Sequence, residues 1–440
     1  MKTNTAPPSG MRDLLPEQVE LRDRATRAIL GAYARFGYSR VETPALESLE
    51  RLSTGEGGDN EKLIYRVLKR GDKLDIAAAR GPDDLADLAL RYDLTVPLAR
   101  FYAEHAGHLP DPFRSIQIGP VWRAERPQKG RFRQFTQCDI DILGDSSERA
   151  EIELIQATAT ALATLGLDGL TVRVNDRRLL AALVRSCGFE VESLPAVFII
   201  VDKLDKVGQD GVRKELLAKG HAEDAVGRLM EVLARSEAAG ADDDLLGWVR
   251  ETLAQHGGDD SDDDGAREAE QRLSRLCDLA SRHLPEGVRV AYDLTLVRGM
   301  GYYTGTIFEV SAEGYDFSIA GGGRYDEMIG RMSGRSVPAC GFSIGFERVI
   351  MMLEERGGLP GEAGSRVALF HDKDVDTDAL LCAAATLRVD DRRVTTIARR
   401  KKFGRQLEEL ESRGFDGFAV LEPGKELELR TLGGSGGASS

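Results

Sequence analysis

The sequence lacks the pairs that cysteine chemistry needs. Its five cysteines, Cys138, Cys187, Cys277, Cys340 and Cys382, are scattered over 440 residues with no CxxC. Neither a disulfide framework nor a zinc ribbon fits, and a reducing cytoplasm is the simple reading. Histidine is equally sparse. Of six, His105 and His108 stand three apart, with no cysteine or carboxylate set to complete a site, so no metal is expected from a direct protein motif. Long apolar runs are missing too. The densest stretch, residues 379–385, is far short of the 18 or so that a transmembrane helix requires. The opening MKTNTAPPSGMRDLLPEQ has no apolar h-region and does not read as a secretory signal. There is no repeat of 20–50 residues.

Several nucleotide and hydrolase signatures are absent as well. There is no GxxxxGK[ST] and no GxSxG. Gly299-Met-Gly301-Tyr-Tyr-Thr-Gly305 comes near a dinucleotide fingerprint but has one residue too many, and it leads into the strand-like Thr306-Ile-Phe-Glu-Val310. A Rossmann loop must open a helix, whose N-terminus holds the pyrophosphate, so that reading fails.

What is present describes a globular chain. Apolar residues make up 42% and charged residues 30%, outside the range of disordered or collagen-like sequences. The length predicts two to four domains. The net charge of −14 should repel nucleic acid at long range, yet contact depends on local patches. Two basic clusters stand out: Arg123, Arg126, Lys129, Arg131 and Arg133, and then Arg399, Arg400, Lys401, Lys402 and Arg405.

Periodicity predicts a helix over 17–36, with Leu21, Ala25, Ile29, Ala32 and Phe36 on one stripe and Pro16 and Gly37 at its ends. A short strand over 38–42 stops at Pro44. Residues 114–144 predict a β-hairpin whose second strand spans 131–143 and whose polar loop is Arg126-Pro-Gln-Lys-Gly130. Alternation puts Arg133, Phe135, Gln137, Asp139 and Asp141 on one face and Gln134, Thr136, Cys138, Ile140 and Ile142 on the other. Two carboxylates, an amide and a guanidinium on one face suit a ligand-binding sheet. Residues 180–285 read as mostly helical, with a long helical stretch over 211–234 and acid-rich loops at 242–244 and 259–264. Strand-like, glycine-rich sequence returns over 289–345 and is followed by a helix over 346–355 and a Gly/Pro linker over 357–364. Residues 366–432 alternate strand, helix, strand, helix, strand as a small α/β domain, and the terminal GGSGGASS is set aside as a tail.

The chemistry that remains is arginine on sheets. Arg123 and Glu125 are expected to point the same way from the first hairpin strand. Arg298 precedes Tyr302-Tyr303, Arg324 follows three glycines, and Arg348 lies one turn into a helix. Fork-shaped guanidinium groups suit phosphate oxygens, and nucleotidyl transfer needs charge stabilisation and positioning above all.

These residues together resemble a class II aminoacyl-tRNA synthetase, and within that class the histidyl-tRNA synthetase family. Residues 37–44 resemble motif 1, Val121-Trp-Arg-Ala-Glu125 through Arg131-Phe-Arg-Gln-Phe135 motif 2, and Gly341-Phe-Ser-Ile-Gly-Phe-Glu-Arg348 motif 3. Leu90-Arg-Tyr-Asp-Leu-Thr95, Leu296-Val-Arg-Gly-Met-Gly-Tyr-Tyr-Thr-Gly305 and Ala320-Gly-Gly-Gly-Arg-Tyr-Asp326 resemble strings specific to the histidine family, as do Pro8-Ser-Gly-Met-Arg-Asp13 and Val201-Asp-Lys-Leu-Asp-Lys206. Two departures stand out: Gly301 replaces a usual Asp, and the region 421–430 is short.

The resemblance implies an α+β fold: an antiparallel-sheet catalytic core at 1–178 and 286–358, a helical insertion at 179–285, an anticodon-binding-like α/β domain at 365–432 and a tail at 433–440. It implies a histidine–tRNA ligase that forms histidyl-adenylate and pyrophosphate from histidine and ATP with Mg²⁺, then charges tRNA(His), as a cytoplasmic homodimer away from membranes. Arg298 and Arg123 would be catalytic. Histidine would be bound by Asp93, Leu94, Thr95, Gln137, Asp141, Tyr302 and Tyr303. ATP would be held by Arg123, Glu125, Arg131, Phe135 and Arg348, and the tRNA acceptor end by Arg126, Gln128 and Lys129. The competing expectations are a non-catalytic paralogue, the regulatory subunit of ATP phosphoribosyltransferase, a tRNA-sensing module, and a tRNA-independent histidine-activating enzyme. Retention of Arg123, Gln137, Arg298, Tyr302, Tyr303 and Arg348 argues against the regulatory subunit.

Overall fold

The computed structural model describes residues 5–53, 63–127, 130–238, 244–256, 262–297, 303–359, 365–389 and 392–432. The chain divides into two compact units, Met1–Leu359 and Pro360–Ser440.

The first unit opens with α1 (Pro16–Ala34), which starts on proline, where a missing N–H costs nothing, and buries Ala25, Ile29, Ala32 and Tyr33. Strand β1 (Ser39–Arg40) follows. Strands β2 (Leu46–Ser48), β3 (Tyr65–Leu68) and β4 (Ala86–Leu90) form a small antiparallel sheet in the order β2-β4-β3. Its apolar face is sealed by α2 (Leu49–Ser53) through Leu49 and Leu52. Helix α3 (Thr95–His105) leads to the long hairpin of β5 (Phe113–Trp122) and β6 (Gln134–Leu143). Helix α4 (Arg149–Thr164) and β7 (Leu170–Asp176) come next. Six helices follow: α5 (Arg177–Ser186), α6 (Leu194–Val201), α7 (Leu204–Ala218), α8 (Glu223–Ala238), α9 (Leu245–His256) and α10 (Asp262–Ser281). The unit closes with β8 (Val288–Tyr292), β9 (Thr306–Ala312), β10 (Ser318–Arg324), α11 (Asp326–Ser333), β11 (Ala339–Ile344) and α12 (Phe346–Glu355).

Among the described residues the main sheet has eight strands in the order β1-β5-β6-β11-β10-β9-β7-β8. Pairing is antiparallel except at the two edges, where β1 joins β5 and β8 joins β7 in parallel. One face carries the core. Cys138, Ile140 and Ile142 of β6 are fully buried there with Ile29 and Tyr33 of α1 and Leu154 of α4. The period of two then turns Gln137, Asp139 and Asp141 to the opposite face. On β10 the glycines are a packing requirement. A Cβ on Gly322 would lie 2.1 Å from the Gly341 carbonyl oxygen and 2.8 Å from Phe342 Cα.

The structure corrects several local expectations. The helical stretch over 211–234 is divided between two helices. Helices α7 and α8 are separated at Gly220, whose φ of +88° is the left-handed conformation that ends helices. Residues 262–264 belong to α10 and not to a loop; acidic residues are favoured in a helix's first turn. The hairpin ladder stops at Trp122–Gln134, so Arg123 and Glu125 lie beyond the strand on which they were expected. The second strand starts at Gln134 because the N–H of Arg133 is taken by the carbonyl of Gly10 (2.8 Å). Arg324 is no phosphate ligand: it is buried and forks onto Glu151 at 2.8 and 2.7 Å.

The second unit, described by itself, contains β12 (Arg366–His371), α13 (Thr377–Leu387), β13 (Arg393–Ala398), α14 (Phe403–Glu411), β14 (Gly417–Val420) and β15 (Arg430–Thr431). Its sheet runs β13-β12-β14-β15. Alternation along β12 serves two cores: Val367 and Leu369 pack with Ala384 and Leu387 of α13, and Ala368 and Phe370 with Leu410 of α14. In the basic cluster Arg399 is paired with Asp372 and Glu422, and Arg400 and Arg405 share Glu409, while Lys401 and Lys402 are exposed. No helix among the described residues is long and apolar enough to cross a membrane.

Candidate active site

Two adjoining cavities open on the polar face of the main sheet. The larger, of about 710 Å³, has Gln137, Asp139 and Asp141 of β6 on its floor, with Ser343 and Gly341 of β11 beside them. Its walls include Asp93 and Thr95 before and at the start of α3, Tyr303, and Tyr325 ahead of α11. The smaller, of about 340 Å³, is lined by Arg123, Glu125, Arg131, Phe135, Glu347 and Arg348, among others. Arg123, Gln137, Gly321 and Ser343 border both.

The carboxylates of the larger cavity are held in place from behind. Tyr325 donates its hydroxyl to Asp141 Oδ1 at 2.6 Å, and Ser343 donates to Asp139 Oδ1 at 2.5 Å. Gln137 Nε2 reaches Asp139 Oδ2 at 3.4 Å. Asp93 Oδ1 accepts the N–H of Val96 in the first turn of α3. Two buried acceptors, Asp141 Oδ2 and Gln137 Oε1, have no hydrogen-bond partner among the described residues. A buried acceptor without a donor is costly, so the cavity is built for a ligand that brings N–H groups.

Crowding also tunes these acids. Burial pushes Asp93 up to about 6, against the pull of Arg123 and the Val96 N–H. Burial raises Asp141 to about 7; the Tyr325 hydroxyl opposes the shift and Asp93 adds to it. Asp139 is raised well above the carboxylate range by burial and by Asp141, with Ser343 opposing. A cation placed among the three would repay that cost.

The smaller cavity carries the opposite charge. Arg123 is held by its Nε bond to the Tyr92 carbonyl (3.0 Å) and lies 5.1 Å from the centre of the Phe135 ring. Arg348 donates to the Ser318 carbonyl at 2.5 Å and lies 5.4 Å from the centre of the Phe317 ring. Glu125 and Arg131 face each other at 3.8 Å. An aromatic ring beside two guanidinium groups suits a base joined to phosphates. As for a metal, Glu347 is already saturated by Arg12, Arg22 and the Thr136 N–H. Among the described residues no group of three or more His, Cys, Asp or Glu is placed to hold an ion.

The structure thus brings together Asp93, Thr95, Gln137, Asp141 and Tyr303 in one cavity, and Arg123, Glu125, Arg131, Phe135 and Arg348 in the next. Leu94 does not join them: it is buried, is not in the cavity lining, and offers its carbonyl to Gln117. Arg126 is exposed beyond β5. Arg298, Gly301, Tyr302, Gln128 and Lys129 lie outside the described residues. Sequence reasoning put Asp139 on the ligand face without naming what it binds, and gave no role to Tyr325, Ser343 or Glu347. Asp139 was within reach, since it shares the strand face of Gln137 and Asp141. The others depend on which strands become neighbours.

A family model described as histidyl-tRNA synthetase matches residues 10–349. The chain is 46% identical to a histidine–tRNA ligase of Leifsonia xyli subsp. xyli over 98% of this chain and 99% of that one. It is 39% identical to a probable histidine–tRNA ligase of Tropheryma whipplei over 95% and 96%. A crystal structure of histidyl-tRNA synthetase from Nostoc sp. PCC 7120 superposes with a TM-score of 0.80 at 26% identity, covering 98% of this chain and 95% of that one. The sheet and its helices are those of an α+β class II synthetase. Within that class the chain belongs to the histidyl-tRNA synthetase family.

Proposed function

We propose that the chain is a histidine–tRNA ligase, and that the larger cavity takes histidine and the smaller one ATP. The observation that carries the assignment of the cavities is the pair of buried acceptors, Asp141 Oδ2 and Gln137 Oε1, unpartnered among the described residues, beside a cation-lined hollow. Histidine offers an ammonium and an imidazole N–H to Asp93, Gln137 and Asp141, with Thr95 and Tyr303 shaping the space around them; the part assigned to Tyr302 rests on the sequence alone. A side chain without those donors would leave the acceptors unmet, which is how such sites reject isosteres.

ATP lies with its adenine on Phe135 near Glu125 and Arg131, its α-phosphate at Arg123 and its γ-phosphate at Arg348. Arg123 borders both cavities, so the histidine carboxylate meets the α-phosphorus there. A carboxylate oxygen forms the new P–O bond, the bond to pyrophosphate breaks, and the extra negative charge rests on Arg123 and Arg298. In the second step the terminal hydroxyl of tRNA(His) attacks the acyl carbon, an ester forms and AMP leaves. The acceptor end is assigned to Arg126, Gln128 and Lys129, residues of the basic loop after β5 in the sequence. Magnesium comes in as part of the substrate on the nucleotide's own oxygens, where it neutralises phosphate charge.

The reading carries a cytoplasmic setting, where ATP and tRNA meet free thiols, and a homodimer built at α1 and β1, for which light scattering is expected to give twice the mass of the chain. The identity to curated relatives over nearly the whole length favours the ligase over a regulatory or tRNA-independent paralogue. The test is charging of tRNA(His) with labelled histidine. Acid-precipitable histidyl-tRNA is expected, and its absence from an active, histidine-activating preparation would move the assignment to an enzyme with another acceptor.

A further inference from the structure

The segment before α1 makes contacts that its exposed position does not require. Gly10 accepts the N–H of Arg133 at 2.8 Å, and Ser9 accepts Arg133 Nη1 at 3.2 Å. Arg133 Nε in turn donates to the carbonyl of Glu125 at 3.0 Å. Residues 9 and 10 therefore hold Arg133, which itself ties the β6 end of the β5–β6 connection to Glu125 on the other side. Gly10 has φ +80°, and a Cβ there would sit 2.8 Å from Arg133 Cγ and from Pro127 Cγ, so the approach is open to glycine alone.

Two residues on, Arg12 spans the back of the smaller cavity. Its guanidinium lies 4.0 Å from the centre of the Phe132 ring and donates to Glu347 Oε2 at 2.5 Å. Phe132 and Glu347 both line that cavity. Glu347 also takes Arg22 Nη1 and Nη2, each at 2.8 Å, and the Thr136 N–H at 3.1 Å. Burial alone would push this carboxylate up; Arg22, Thr136 and Arg12 outweigh it and hold it below its usual value. A charge pinned from three directions has no freedom left to bind a ligand. Its use is to fix β6 against α12, the two elements that present Phe135 and Arg348.

We propose that residues 9–12 are a strap that positions the nucleotide half of the site, with Arg12 as its positioning residue acting through Phe132 and Glu347. The proposal rests on the assignment of the smaller cavity to ATP. It does not involve the larger cavity, whose lining the strap does not touch.

The test is histidine-dependent ATP–pyrophosphate exchange by the full chain, with the unsubstituted protein measured first. If that protein exchanges nothing, the assignment of function fails and the strap is not at issue. If it exchanges, Arg12→Ala is expected to raise KM for ATP roughly tenfold, the size expected for a lost charge-assisted hydrogen bond, while KM for histidine stays within about twofold. Arg12→Lys, which keeps the charge, should recover part of the loss. Gly10→Ala, which displaces the strap but keeps Arg12, should give the same split and decides the matter should Arg12→Ala misfold. An unchanged KM for ATP in both variants, or an equal rise in both KM values, would overturn the proposal; the equal rise would mark a structural contact only.

Discussion

Asp93, Asp139 and Asp141 share one cavity, and among the described residues no salt bridge joins any of the three to a cation. Asp93 is pushed up to about 6 and Asp141 to about 7, from an unfolded value near 4. Between those limits the folded chain holds more protons than the unfolded chain. Stability of the ligand-free protein therefore falls as pH rises through about 4 to 7, and the cost is fully felt above that window. Asp141→Asn removes the charge and leaves an acceptor for Tyr325. It should stabilise the ligand-free chain at pH 8 by on the order of 1–2 kcal/mol, with the gain vanishing near pH 4. The same variant should raise KM for histidine by about a hundredfold, because a charged hydrogen bond to the substrate is lost. Thermal melts at pH 8 and pH 4 check the first outcome and exchange kinetics the second; a pH-independent difference in stability would contradict the account. At this scale the sequence was informative where chemistry follows chain order. Gln137 and Asp141 could be placed on one face by counting in twos. Tyr325 could not, because its partner Asp141 is 184 residues away.

The site is made by neighbouring strands, and glycine decides how closely they pack. Gly341 lies opposite Asp141 in the ladder, and a Cβ there would come 2.0 Å from Asp141 Oδ1. Gly322 meets backbone on β11 and the Phe308 ring on the other side. A methyl at Gly322 forces the strands apart, since backbone cannot yield as a long side chain can. Gly322→Ala should cost about 3 kcal/mol, seen as a lowered denaturant midpoint with little change in slope. A midpoint within error of the parent would show that the strand spacing is looser than described. Helices with one apolar stripe, such as α1 and α12, and the alternating β6 were legible because their period is local. The break between α7 and α8 was hidden by a glycine that propensity alone does not distinguish from an interior one. The small β2-β4-β3 sheet was not legible, because its strands are three to five residues long and draw their burial from α2.

Across the whole molecule, charge is sorted by place. The chain carries −14, yet the smaller cavity gathers Arg123, Arg131 and Arg348, and the larger one gathers acids. Strongly acidic composition argued against a polyanion partner; only the local arrangement supports one. The adjoining of an acid-lined and an arginine-lined cavity at Arg123 is the centre of the account, because it brings an amino acid carboxylate to a nucleotide phosphorus. Amino-acid-dependent ATP–pyrophosphate exchange, run with each of the twenty standard amino acids, tests this most directly. The account predicts exchange with histidine and background rates with the other nineteen. No exchange with histidine from a folded chain, or comparable exchange with another amino acid, would contradict it.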